Sequence, residues 1–185
     1  MTWVDRLLQR WRIAKARPFI APGATVLDVG SGDGVLFQQL GAQISGGLGI
    51  DPTLTTGRSA GAVRLVPGSF PKDVPAVEPF DAITMLAVLE HFPEGQYAGL
   101  KAGCCAFLKP GGRLIITVPS RRVDAILHWL RLLRLIDGMA LEEHHGYDAR
   151  RTAEIFSGPE FELVRHNRFQ LGLNHLFVFR RAGPS

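Results

Sequence analysis

The stretch Val26-Leu27-Asp28-Val29-Gly30-Ser31-Gly32-Asp33-Gly34 decides the fold of this 185-residue chain. An apolar run with one acid ends in glycines at alternate positions, and Val35-Leu36-Phe37-Gln38-Gln39-Leu40 follows at once. That order predicts a buried strand, a sharp turn and a helix. Glycine lacks a Cβ, so the backbone turns tightly and a ligand can lie against it. The helix start behind it is expected to offer free N–H donors. This is the layout of a nucleotide-like cofactor pocket; without a ligand, the same residues make a plain strand–helix turn.

The spacing narrows the cofactor. A dinucleotide fingerprint places glycines as G-x-G-x-x-G. Here they fall at 30, 32 and 34, Val35 stands where the third fingerprint glycine belongs, and the acid Asp28 precedes them. A nicotinamide oxidoreductase is therefore disfavoured. The order acid-x-Gly-x-Gly-x-Gly resembles the first motif of class I S-adenosylmethionine-dependent methyltransferases.

Further along, strands are predicted at 25–29, 47–50, 63–66, 80–86 and 113–118, with a helix at 94–108 and a turn at Lys109-Pro110-Gly111-Gly112. Strands alternating with helices imply parallel βαβ units. Residues 161–169 and 176–180 read as strands joined by about six residues, hence an antiparallel hairpin. The expected fold is α/β: a Rossmann-like, doubly wound, seven-stranded, mostly parallel sheet with a C-terminal antiparallel hairpin. This again resembles the methyltransferase sheet, over about residues 25–181. Residues 1–20 are expected to form an N-terminal amphipathic helix, and the resemblance implies that residues 21–185 are a methyltransferase domain with a helical lid insertion at about 121–150.

In an open parallel sheet, ligands sit beyond the carboxyl ends of the strands. The first such end is the glycine loop. The second is Asp51-Pro52, where a carboxylate can accept two hydrogen bonds from ribose hydroxyls. The resemblance implies that Gly30, Ser31, Gly32 and Gly34 hold the amino-acid end of S-adenosylmethionine, that Asp28 orients the loop or meets the amino group, and that Asp51 and Pro52 border the ribose. It places Ser69 and Phe70 beside adenine. Ser69 stands where the family usually has an acid, and Phe70 either lies on the adenine face or packs in the core. Met85-Leu86-Ala87-Val88-Leu89-Glu90-His91-Phe92-Pro93 resembles the Leu-Glu-His-Phe/Leu-Pro element of small-molecule methyltransferases, so Leu86 and Ala87 flank the methyl group. The Asn/Asp-Pro-Pro-Tyr and Pro-Cys elements of nucleic-acid methyltransferases are absent.

An oxygen acceptor needs a base. Among His91, His144, His145, Tyr147 and His175, the catalytic candidates are His91 and His145; each could equally be a hydrogen-bonded structural residue. No metal site is expected, because Glu142-Glu143-His144-His145 has no second ligand cluster. Cys104 and Cys105 adjoin on a helix and make poor disulfide partners, which suits a reducing cytoplasm.

Of 21 basic and 17 acidic residues, residues 1–17 hold Arg6, Arg10, Arg12, Lys15 and Arg17 against Asp5 alone, leaving 16 of each sign elsewhere. The charge is terminal and not a stripe through the domain, so no nucleic-acid partner is expected. Within this terminal segment, residues 3–16 suit an amphipathic helix with Trp3, Val4, Leu7, Leu8, Trp11 and Ala14 on its apolar face, which either caps the domain or touches an anionic membrane. The helix at 123–136, apolar but for Asp124, His128, Arg131 and Arg134, packs on the sheet or covers a greasy substrate. The reading is methyl transfer to a small, lipid-like or aromatic acceptor by a cytoplasmic protein with a peripheral membrane contact, its oligomeric state open. The rival is a non-catalytic cofactor-binding or scaffold protein on the same fold.

Overall fold

A computed structural model describes residues 3–120 and 147–183. The helix α1 (Trp3–Ala16) leads into β1 (Ala24–Val29), α2 (Val35–Leu40) and β2 (Ile44–Asp51). A short β3 (Arg58–Ala60) and β4 (Val63–Pro67) follow, then β5 (Phe80–Leu86), α3 (Tyr97–Phe107) and β6 (Leu108–Pro119). The chain closes with α4 (Arg150–Ile155), β7 (Phe161–Phe169) and β8 (Asn174–Arg181). The expected lid at about 121–150 falls largely outside the described residues, and the expected helix at 123–136 and His145 lie wholly outside them.

One sheet runs in the order β3-β4-β2-β1-β5-β6-β8-β7. The inner pairs β4–β2, β2–β1, β1–β5 and β5–β6 are parallel, and β8 and β7 close the far edge antiparallel. The sheet has eight strands where seven were expected. The addition, β3, pairs antiparallel with β4 and is exposed throughout, so no apolar pattern announced it. The strand order reverses at β1, between β2 and β5, which is where such sheets open a crevice for a ligand.

The central strands β1 and β5 and the second half of β6 are buried on both faces, as a helix-covered parallel sheet requires. Alternate residues feed two clusters. Leu27, Val29, Ile83, Met85, Leu114 and Ile116 pack on α3 and α4, with Phe156, Phe161 and Phe179. Val26, Ala82, Ile115 and Val178 pack on α1 and α2 through Ile13, Ala16, Leu36 and Phe37. The expected turn at Lys109–Gly112 is an excursion inside β6: Phe80 pairs with Leu108 and Ala82 with Arg113, and Gly111 takes φ +77°.

The helix α1 has the bounds 3–16 expected of it, and much of its apolar face is turned outward. Ile13 and Ala16 are buried, Leu8 is half-buried, and Trp3, Leu7, Trp11 and Ala14 face solvent.

Candidate cofactor site

The carboxyl ends of β1, β2 and β5 converge on the glycine loop. Gly30, Gly32 and Gly34 all have positive φ, at +75°, +49° and +82°, in the region that excludes most side chains. A Cβ on Gly30 would also lie 2.4 Å from Cγ2 of Val88, just past β5. At Gly32 the same position is open. The loop therefore touches protein at Gly30 and leaves space at Gly32.

The loop uses its own donors. The N–H groups of Gly30 and Ser31 donate to the carbonyl of Ile50, and that of Gly34 to the carbonyl of Ser31. The Gly32 N–H donates to Asp51 Oδ2 at 2.8 Å. No side chain caps α2, which is six residues long.

Asp51 is buried at the end of β2. Its Oδ1 accepts from the Thr53 N–H at 2.8 Å and the Thr53 hydroxyl at 2.6 Å. A carboxylate offers about four acceptor positions, and these bonds with Gly32 use three. One remains, and the Thr53 hydroxyl can yield another to a ligand. Pro52, next in the chain, is exposed.

Asp28 is buried beneath the loop and accepts the Thr84 hydroxyl at 2.6 Å. Burial pushes its carboxyl up to about 7; the Thr84 bond opposes this, and the neighbouring Asp51 charge adds to it. Thr84 was not singled out in the sequence, yet strand register carries the signal, since Asp28 and Thr84 are cross-strand partners. Ser31 is buried with its hydroxyl against Gly49, where any Cβ would collide with it. Among the described residues this hydroxyl has no hydrogen-bond partner.

Leu86 ends β5 and Ala87 follows, both half-buried. Ala87 takes φ +60°, and its N–H donates to the carbonyl of Thr117 on β6. A strained non-glycine backbone at the mouth of a crevice is typical of functional sites. His91 lies exposed on the one-turn helix Leu89–His91. Ser69 is exposed past β4, and its N–H donates to Asp73 Oδ2 at 2.8 Å. This carboxylate stands four residues beyond the position expected to hold an acid, where motif spacing would not find it. Of the two readings of Phe70, the structure takes the second, and it is a core residue and not an adenine contact. Its ring is buried 6.0 Å from that of Phe107, in the space left by Gly103 on α3.

Two other candidate bases are engaged. His175 Nδ1 lies 2.9 Å from His166 Nε2 on the paired strands β7 and β8, and burial holds both imidazoles below the usual histidine range. The Tyr147 hydroxyl bonds Thr152 at 2.9 Å, and burial pushes the phenol well up, so it stays protonated near neutral pH.

A family model described as a methyltransferase domain matches residues 2–166. The chain belongs to the class I S-adenosylmethionine-dependent methyltransferases. The methyltransferase is 34% identical over 114 residues to the ubiquinone biosynthesis O-methyltransferase of Xylella fastidiosa, a match covering 57% of this chain and 46% of that protein. It is 37% identical over 121 residues to the tRNA U34 carboxymethyltransferase of Methylococcus capsulatus, covering 58% and 36%. It thus spans less than half the length of these curated relatives. Its fold resembles that of the N-methyltransferase NodS from Bradyrhizobium japonicum, with a TM-score of 0.70 at 16% identity over 97% of this chain and 99% of that one. NodS has also been solved with S-adenosylhomocysteine bound.

The residues present fit S-adenosylmethionine, the cofactor of this methyltransferase. The space over Gly32, the spare acceptor capacity of Asp51 and the unpartnered Ser31 hydroxyl together make a cradle for a polar, partly cationic molecule.

Proposed function

We propose that this methyltransferase transfers a methyl group from S-adenosylmethionine to a hydroxyl oxygen of a small aromatic acceptor with a lipid-like tail. The similarity to ubiquinone biosynthesis O-methyltransferases carries the acceptor class. The near-neutral charge balance of residues 18–185 supports a small molecule over a polyanion.

Bound S-adenosylmethionine supplies an electrophilic methyl sulfonium. The protein's task is alignment. Gly30, Ser31, Gly32 and Gly34 seat the amino-acid end, and Asp28 balances its ammonium charge. Asp51 accepts from the ribose beside Pro52, and Ser69 borders adenine, with Asp73 offering the carboxylate that Ser69 lacks. Leu86 and Ala87 wall the methyl group. His91, one turn past β5, would take the acceptor hydroxyl's proton, the methyl group passing to oxygen as its bond to sulfur breaks and S-adenosylhomocysteine leaves; His145 is the other candidate for the proton.

The test has two arms. Calorimetry with S-adenosylhomocysteine should show binding that Asp51→Ala weakens at least tenfold, about 1.4 kcal/mol. No heat with the wild type, or an unaffected variant, defeats the site assignment. Labelled S-adenosylmethionine is then offered with catechols and hydroxybenzoates, with and without a prenyl tail, and with bulk tRNA. Label in a methyl ether of a tailed phenol supports the proposal. Label in tRNA instead favours the chemistry of the Methylococcus relative, and tight binding without turnover favours the non-catalytic rival.

A further inference from the structure

The outward face of α1 carries large apolar side chains that the domain does not use. Trp3, Leu7 and Trp11 are 75%, 45% and 52% exposed. Spaced four apart, they form one ridge along the helix, about 12 Å from first to last. The inner face is anchored separately by Ile13 and Ala16, so the ridge is not a core face left ajar.

Cations flank the ridge. Arg6 and Arg10, three residues beyond Trp3 and Leu7, are exposed on one side; Lys15, four beyond Trp11, is exposed on the other, and Arg17 follows. A contact with a second copy across a twofold axis would bring these cations against themselves. An anionic lipid surface satisfies both halves of the pattern: tryptophan rings suit the headgroup boundary, and Lys and Arg suit the negative surface potential. No helix among the described residues is long and apolar enough to cross a bilayer, so the contact is in the plane of the surface.

We propose that α1 is a peripheral membrane anchor, laying Trp3, Leu7 and Trp11 into the headgroup boundary of an anionic bilayer while Arg6, Arg10 and Lys15 meet lipid phosphates. This stands on the exposure and charge of α1 alone and does not depend on the identity of the methyl acceptor.

The test is co-sedimentation of the full chain with phosphatidylcholine vesicles, with or without phosphatidylglycerol at roughly a third of the lipid. Binding should be at least about tenfold stronger on the anionic vesicles and should weaken as salt is raised. The triple variant W3S/L7S/W11S should lose about tenfold or more on anionic vesicles. R6Q/R10Q should lose about fivefold per arginine there and change little on neutral ones. Circular dichroism of each variant should match the wild type, because every altered side chain is exposed. The proposal is overturned if the wild type does not sediment with anionic vesicles, or if the triple variant sediments as well as the wild type. It is equally overturned if light scattering shows a dimer that the triple variant dissolves while vesicle binding is absent, which would give the ridge to a second copy.

Discussion

Asp28 shows how one residue's environment becomes a measurable property of the cofactor site. Its carboxyl, raised from 3.8 to about 7 by burial, binds a proton in the folded protein that the unfolded chain releases above the ordinary carboxylate range. Stability should therefore fall as pH rises from about 4 to 7 and level off above, by roughly 4 kcal/mol in total. Asp28→Asn should flatten that slope in urea titrations across the range. A cationic ligand favours the ionised carboxylate, so S-adenosylmethionine binding near pH 7 should release protons. Calorimetry in buffers of different ionisation enthalpy should show the release in the wild type and its loss in Asp28→Asn. Gly30 is constrained in a different way. Gly30→Ala must hold φ +75° and also displace Val88, so it should cost about 1–3 kcal/mol in thermal unfolding. Val88→Ala added to it should recover only the part due to collision.

The elements show what is legible in a sequence of this kind. The bounds of α1, β5 and β7 were readable to the residue, because each is a clear periodic or apolar run bounded by breakers. The inner face of α1 was not. Its most hydrophobic stripe is the outward one, and periodicity reports that a stripe exists without saying what covers it. Arg58-Ser59-Ala60 has no apolar signal, and it pairs only because β4 offers an open edge. Phe70 sat beside the cofactor ends in sequence, but the turn after β4 drops its ring under α3. The residues of the glycine loop and Asp51 were legible, since backbone conformation and carboxylate placement at strand ends follow from order and spacing. Their mutual bond was not, because it joins residues 19 apart. The β7–β8 hairpin carries a pH dependence of opposite sign to that of Asp28. His166 and His175 are held below the usual histidine range, so the hairpin favours the neutral rings and loses stability as pH falls below about 6.5. Amide exchange in β7 and β8, corrected for its intrinsic pH dependence, should be faster at about pH 5.5 than at neutrality, and His166→Phe should reduce the difference.

Across the whole molecule, one sheet separates two apolar clusters and exposes its ligand site at the rim where they meet, so ligand binding should be felt globally. S-adenosylhomocysteine at about 100 times its Kd should stabilise the fold by about 2.7 kcal/mol, raising Tm by roughly 5–10 °C. Asp51→Ala, binding at least tenfold more weakly, should show at most about half that rise at the same concentration in a thermal melt. The TM-score of 0.70 to NodS at 16% identity shows a shared fold carried by mostly different side chains. The bond from the Gly32 N–H to Asp51 ties the glycine loop to the carboxylate at the end of β2 without help from a ligand. A cavity assembled in advance has little means of telling the methyl donor from its spent form, which differs by one carbon and one charge. The demethylated product should therefore compete with S-adenosylmethionine on nearly equal terms, so that the rate of methylation follows the ratio of the two more closely than the amount of either.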